Sequence, residues 1–135
     1  MIHFMSTATE QTLNRKAQLR AIADAYFGGL TQGDVSHVPY DENVLFRTPL
    51  AAGGSDVPLR SRSALLDFFA GIYPALGEVQ VIDYFFNDAL TSICVRADVA
   101  LKTGNVLRVA DVFRISADGK VIEQENHYDP RPAAT

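Results

Sequence analysis

The chain of 135 residues contains a single cysteine, Cys94, and has no excess of basic residues. One cysteine cannot form a disulfide within the chain, and it cannot supply a cysteine-rich zinc site. The 12 lysines and arginines are outnumbered by 16 aspartates and glutamates, so the formal net charge is −4 at pH 7. This balance argues against a nucleic-acid-binding scaffold, because such proteins need clustered positive charge.

Long apolar runs are missing as well. No stretch approaches the roughly 18 consecutive apolar residues of a membrane-spanning helix. The first ten residues, MIHFMSTATE, lack the basic start and apolar centre of a secretory signal, so we expect a cytoplasmic protein without a membrane partner. With 47% hydrophobic residues, the composition favours one globular domain over residues 1–135, with an ordered core of about residues 8–130.

Two helices are predicted in the first half of the chain. Thr7–Glu10 is a capping-box pattern that should begin the first helix, and Gly33-Asp34 should end it. The second helix should be capped by Ser61 or Ser63 and end at Pro74. Each helix has an apolar face at helical spacing, formed by Leu19, Ile22, Ala23, Tyr26 and Leu30 in the first and by Leu65, Phe68, Phe69, Ile72 and Tyr73 in the second.

The second half of the chain shows the period of two that is typical of strands. After a brief strand at 44–46 and a loop at 51–59, we predict strands over 79–86, 93–101, 106–115 and 121–128. Thr103-Gly104-Asn105 and Asp118-Gly119 are hairpin turn signals between them. Helices followed by consecutive antiparallel strands predict an α+β protein, in which the helices cover one face of a curved antiparallel sheet.

Asp111 breaks the strand pattern, because it stands on the apolar side of its strand between Val109 and Phe113. An ionised carboxylate buried without partners costs several kcal/mol, so Asp111 must be hydrogen-bonded, neutralised by a raised pKa, or open to a cavity. A structural aspartate or a β-bulge that changes its face is the alternative. Tyr26, on the inward stripe of the first helix, is either a core residue or the polar partner of this acid.

Three sets of residues resemble the SnoaL-like and ketosteroid-isomerase-like branch of the NTF2-like superfamily. They are Ala25-Tyr26 with Leu30 and Gly33-Asp34, then Arg47-Thr48-Pro49, and finally 111–115 (DVFRI) with 118–122 (DGKVI). The resemblance covers about residues 10–130. It implies a cone-shaped cystatin-like fold, with the helices over the concave face of the sheet around an apolar pocket.

The resemblance also implies a site. In the steroid isomerases a tyrosine and an aspartate at the positions of Tyr26 and Asp111 hold the substrate oxyanion. The general-base aspartate of those enzymes is replaced here by Thr48, and a threonine hydroxyl cannot collect a proton at neutral pH. Asp111 is therefore either a neutral hydrogen-bond donor or itself the base.

His127 is a further candidate, as a proton carrier, provided that the end of its strand turns into the pocket mouth. Glu125, His127 and Asp129 share one strand face, but residues two apart on a strand lie about 7 Å from each other and seldom bind one metal ion. No metal is therefore expected. The two glycine pairs match no phosphate-binding loop, so no cofactor is expected either.

We therefore expect a small cofactor-independent enzyme that transfers protons within an apolar ligand, as an isomerase, cyclase or dehydratase. Asp111, Tyr26 and His127 are the candidate catalytic residues. Thr48 and a set of apolar side chains would bind the ligand, namely Phe46, Phe68, Phe69, Ile72, Val109 and Phe113. The alternative is a non-catalytic module that binds a small ligand or dimerises. In either case the outward row Arg108, Ala110, Val112 and Arg114 would suit a homodimer interface.

Overall fold

The computed structural model of the protein describes residues 7–134. The first helix, α1, spans Ala8–Gln32 and begins at the predicted capping position. The Thr7 hydroxyl accepts a hydrogen bond from the Glu10 amide at 3.0 Å, as the capping box predicts. Gly33 ends α1 with a φ of 77°, a left-handed conformation that glycine adopts without cost.

The second helix, α2, spans Arg62–Ile72. Of the two candidate caps the structure uses Ser61, whose hydroxyl accepts from the Ala64 amide at 3.0 Å. A 3₁₀ turn over Tyr73–Ala75 follows, because Pro74 cannot continue an α-helix. Within the described residues, neither helix is long and apolar enough to cross a membrane.

Six strands form one sheet in the order β2-β1-β6-β5-β4-β3. They are β1 Tyr40–Arg47, β2 Leu59–Arg60, β3 Leu76–Phe86, β4 Ser92–Leu101, β5 Val106–Ile115 and β6 Val121–His127. The four predicted strands of the second half are confirmed as antiparallel neighbours. The early strand is longer than predicted, and the loop before α2 contains a 3₁₀ turn and the start of β2.

The sheet is mixed, which corrects the prediction of a wholly antiparallel one, because β1 runs parallel to β6. Hairpin turns determine the direction of the consecutive strands β3 to β6. No such turn links β1 to β6, so its direction depends on tertiary packing. A register shift between Val81 and Asp83 marks a bulge in β3, and bulges of this kind bend a strand and curve the sheet.

The hydrophobic core lies between the two helices and one face of the sheet. Along β4 and β5 buried and more exposed residues alternate, and Leu107, Val109, Asp111, Phe113 and Ile115 all face the core. The predicted apolar face of α1 is buried there too. This arrangement places Asp111 in the middle of the covered face, as its sequence pattern predicts.

Candidate functional site

An apolar cavity lies where α1 and α2 cover β4, β5 and β6. Its volume is about 40 Å³, which is small for a ligand cavity. Most of its lining is apolar, with three polar residues besides Asp111. The lining residues are Tyr26, Leu30, Leu50, Phe68, Phe69, Ile72, Leu76, Val99, Leu101, Leu107, Val109, Asp111, Asn126 and Tyr128.

Asp111 lies at the cavity with only 2% of its surface exposed. Among the described residues, nothing hydrogen-bonds to its buried oxygen Oδ1. Burial raises the pKa of Asp111 well above its usual value, because the charged form has lost its solvation. The structure therefore places the carboxyl at the cavity, which is one of the predicted outcomes, and no contact within residues 7–134 supports the alternative of a hydrogen-bonded structural aspartate.

Tyr26 reaches the same cavity from α1 and is 1% exposed. Its ring makes edge contacts with Phe27, Phe69 and Phe113 at centroid distances of 4.9, 5.6 and 5.2 Å, which hold it in place. Burial raises the pKa of Tyr26, and the neighbouring Asp111 charge raises it further. The hydroxyl therefore keeps its proton and can donate it in a hydrogen bond.

A chain of buried polar side chains leads to the Tyr26 hydroxyl. Asn126 Nδ2 donates to Tyr26 Oη at 3.0 Å, and Gln124 Nε2 donates to Asn126 Oδ1 at 3.1 Å. At the far end, Tyr40 Oη donates to Gln124 Oε1 at 2.6 Å. We call these four side chains the amide relay.

Thr48 stands at the position where the resemblance expects a base. It is buried, and its hydroxyl pairs with the Tyr128 hydroxyl at 2.9 Å. Tyr128 lines the cavity but Thr48 does not. Burial raises the pKa of Tyr128, so this pair consists of two neutral hydroxyls and contains no group that accepts a proton at neutral pH.

The predicted ligand-binding residues divide into two sets. Phe68, Phe69, Ile72 and Val109 line the cavity, whereas Phe46, Thr48 and Phe113 lie behind its lining. For the two phenylalanines the physical reason is that other aromatic rings pack in front of them, whereas the Thr48 hydroxyl is hydrogen-bonded to Tyr128. The Phe46 ring packs against Phe68 and Phe69 at 5.5 and 5.2 Å, and Phe113 packs behind Tyr26.

His127 lies outside the cavity, which corrects its predicted place at the pocket mouth. Side chains alternate along β6, so Gln124 and Asn126 face the core while Glu125 and His127 face outward. His127 Nε2 lies 3.3 Å from Glu125 Oε2, and its side chain is more than half exposed. Within residues 7–134, no three histidine, cysteine, aspartate or glutamate side chains are placed to bind one metal ion.

Three residues of the relay, Tyr40, Gln124 and Asn126, were not predicted from the sequence. The strand alternation already places Asn126 and Tyr128 on one face, and a buried amide needs hydrogen-bond partners. Those two facts could have identified Asn126 as a pocket residue. The partnership of Tyr40 with Gln124 has no local signal, since 84 residues separate them.

The chain is similar to known proteins in its three-dimensional structure. No protein-family model matches the sequence, and no curated protein matches it either. By its architecture the chain is an α+β protein with two helices over a curved mixed sheet and an apolar cavity between the layers. Solved structures that resemble the chain include NTF2-like proteins and a protein with a cystatin-like fold, and the chain has this NTF2-like fold.

Three of these structures illustrate the range of proteins with this fold. A steroid delta-isomerase from Pseudomonas aeruginosa has a TM-score of 0.68 and 16% identity, over 84% of this chain and 81% of that one. SalBIII is an epoxide hydrolase/cyclase-like enzyme with a role in pyran ring formation in the polyether salinomycin. It has a TM-score of 0.69 and 16% identity, over 87% of this chain and 95% of that one. An NTF2-like protein of unknown function from Burkholderia xenovorans has a TM-score of 0.70 and 15% identity, over 85% of each chain. At 15–16% identity this likeness shows the fold alone.

Proposed function

We propose that this chain is a small cofactor-independent enzyme that transfers protons within an apolar ligand bearing a carbonyl or hydroxyl oxygen, as an isomerase, cyclase or dehydratase. The observation that carries the proposal is Asp111, a buried carboxyl whose Oδ1 has no partner among the described residues, in an apolar cavity that Tyr26 also lines. An unpartnered buried acid destabilises the fold, so it needs another reason to be there. The steroid isomerase and the cyclase-like enzyme of the same fold support this choice of chemistry.

Asp111 is the proposed proton carrier. Because desolvation raises its pKa, the ionised carboxylate is a stronger base here than in water. It would remove a proton from the carbon next to the ligand carbonyl, and the negative charge would pass to the carbonyl oxygen. The protonated Asp111 would then return the proton to another carbon or to a departing hydroxyl.

Tyr26 is the proposed partner of the ligand oxygen. Its hydroxyl stays protonated because its pKa is raised, so it can stabilise the developing negative charge by a hydrogen bond. Thr48 stands where the resemblance expects the general base, and its hydroxyl is not basic enough for that role. We therefore do not propose steroid isomerisation through a base at that position, and we assign both proton steps to Asp111.

The shape of the cavity limits the ligand. Its open volume suits a ligand of few heavy atoms unless side chains at the rim move. Leu50 is 38% exposed and Phe68 is half-buried, so these two lining residues have the freedom to do so. With that movement of the rim, a five-membered cyclic ketone is a suitable first probe.

The proposal can be tested with cyclopentanone dissolved in D₂O. Proton NMR would follow the exchange of hydrogen for deuterium at the carbons next to the carbonyl. We expect the wild type to accelerate this exchange and Asp111→Asn to lower the rate by about 10²-fold or more. Asp88→Asn, which changes an exposed aspartate in a loop, is the matched control and should exchange like the wild type.

Two results would contradict the enzymatic proposal. If Asp111→Asn exchanged cyclopentanone as fast as the wild type, Asp111 would not be the proton carrier. If the wild type bound cyclopentanone without any exchange, the chain would be a ligand-binding module, which is the alternative expected from the sequence. The small cavity fits either function.

We also propose that the protein acts in the cytoplasm as a homodimer. The outward face of the sheet carries Arg108, Ala110, Val112 and Arg114, together with Phe85, which is 52% exposed. Apolar groups flanked by arginines are typical of an interface between two copies. Size-exclusion chromatography with light scattering tests this, and a monomer at micromolar concentration would contradict it.

A further inference from the structure

The amide relay has a direction, because each side-chain amide has one end that donates and one that accepts. In the structure every donor points toward the cavity, from Tyr40 through Gln124 and Asn126 to Tyr26. The Tyr26 oxygen therefore receives a hydrogen bond from Asn126. Its own proton is left for whatever occupies the cavity.

If every hydrogen bond of the relay ran in the reverse direction, both amides would still be hydrogen-bonded, but one hydroxyl would lose its acceptor. Tyr26 would then donate to Asn126, Asn126 to Gln124, and Gln124 to the Tyr40 oxygen. The Tyr40 proton would have no acceptor, since no other side chain in residues 7–134 bonds to this hydroxyl. Tyr40 is 5% exposed and does not line the cavity, so water would not replace the lost acceptor.

The forward direction places the free hydroxyl proton where an acceptor can reach it. Tyr26 lines the cavity, and a ligand oxygen or a water there can accept its hydrogen bond. The burial of Tyr40 therefore selects the direction of the whole relay. Without the Tyr40 hydroxyl, the forward direction of the relay is no longer favoured, although two amide side chains separate Tyr40 from Tyr26.

We propose that Tyr40, Gln124 and Asn126 are positioning residues that hold the Tyr26 hydroxyl as a hydrogen-bond donor toward an acceptor oxygen of the ligand. This inference rests on the proposed function and deepens it. The cavity then favours ligands with a carbonyl or enolate oxygen at the Tyr26 end over ligands of equal shape without an acceptor. Tyr40 and Gln124 do not line the cavity, so they act through Asn126 and Tyr26.

The first test needs no ligand. Tyrosine labelled with ¹³C at ring Cζ gives one NMR signal for each of the five tyrosines, and Tyr26→Phe identifies the Tyr26 signal by its loss. We expect Tyr40→Phe and Gln124→Met to shift this signal. Tyr84→Phe is the matched control, since that hydroxyl bonds to Asp24 at an exposed site and should leave the signal in place.

A double variant separates the relay from a general loss of packing. In the relay Tyr40 reaches Tyr26 through Gln124 and Asn126, so Tyr40→Phe should shift the Tyr26 signal in the wild type and have no further effect in Gln124→Met. The Tyr40→Phe change keeps the ring and its packing contacts. An unchanged Tyr26 signal in Tyr40→Phe, or an equal shift in both backgrounds, would overturn the inference.

The second test compares cyclopentanone with methylenecyclopentane, which has the same shape but no acceptor oxygen. The ratio of the two affinities, measured by NMR titration, should fall about two- to tenfold in Tyr26→Phe and in Tyr40→Phe but not in Tyr84→Phe. A fall in Tyr26→Phe alone would overturn the relay and leave the proposed site standing. If the ratio were the same in the wild type and in Tyr26→Phe, the proposed function would fail, and the ligand-free Tyr26 signal would still decide the relay.

Discussion

Asp111 on β5 lies directly opposite Asn126 on β6 in the antiparallel register. Directly paired residues point to the same face of a sheet, so both side chains enter the cavity. Asn126 accepts from Gln124 and donates to Tyr26, and it makes no hydrogen bond to Asp111 Oδ1. The amide directly opposite Asp111 therefore bonds to Tyr26 and Gln124, and Asp111 Oδ1 has no hydrogen-bond partner among the described residues.

The raised pKa of Asp111 predicts how stability depends on pH. The native state holds this proton more tightly than the unfolded chain, whose aspartate has the usual pKa of 3.8. The contribution of this group to the free energy of unfolding is therefore fully present below about pH 4. It falls by up to about 1.4 kcal/mol per pH unit as the pH rises from there toward the native-state pKa.

Asp111→Asn should remove this dependence, since an amide does not titrate. Urea denaturation between pH 3 and pH 8 would show the variant gaining in free energy of unfolding relative to the wild type as the pH rises. Asp88→Asn should follow the wild type throughout. A constant difference between Asp111→Asn and the wild type would mean that the pKa of Asp111 is the same in both states.

Tyr26→Phe should destabilise the protein, because Asn126 Nδ2 loses its acceptor in a buried position. The expected loss in the free energy of unfolding is about 1–3 kcal/mol. Tyr84→Phe removes a hydroxyl at an exposed site and should cost less than about 1 kcal/mol. Equal losses in urea denaturation would show that the buried contact contributes nothing beyond an exposed one.

Phe68→Ala should enlarge the cavity at its rim. The ring packs against Phe46 and Phe69 at 5.5 and 5.3 Å and lines the cavity. Since Phe68 is only half-buried, the stability loss should stay below the about 3–5 kcal/mol of a fully buried phenylalanine. Ketones larger than cyclopentanone should gain affinity in NMR titrations, whereas Phe85→Ala on the outward face should change neither affinity nor cavity.

Two adjacent glycines of α1 should respond to alanine in opposite directions. Gly28 is exposed, and an added Cβ would meet nothing within 4 Å, so Gly28→Ala should stabilise the helix by up to about 1 kcal/mol. A Cβ on Gly29 would lie 2.5 Å from the Asp34 carbonyl oxygen, so Gly29→Ala should cost about 1–3 kcal/mol. Thermal denaturation measures both, and a stabilising Gly29→Ala would contradict the close approach.

The helices, the hairpins and the inward position of Asp111 are predictable from the sequence, because local rules determine them. The Thr7 cap, the Gly33 end and the two-residue alternation of β5 need no information from distant residues. The same alternation already placed His127 outward. The expectation that the end of its strand turns into the pocket departed from that pattern, and the structure follows the pattern.

The lining of the cavity was predicted less completely. Phe46 and Phe113 are buried, as their patterns require, but burial alone does not distinguish a cavity wall from the residues packed behind it. That distinction depends on which ring lies in front. It is settled by the packing of α1 and α2 against the sheet.

By itself, the sequence determined which residues face the core, including Asp111, whose carboxyl is unusual among apolar side chains. Periodicity and capping act over a few residues and leave their mark in the order of amino acids. Only the tertiary structure decided that β1 runs parallel to β6 and that Tyr40 meets Gln124 across 84 positions of chain. Such contacts depend on how separate elements pack, and no local pattern in the sequence records them.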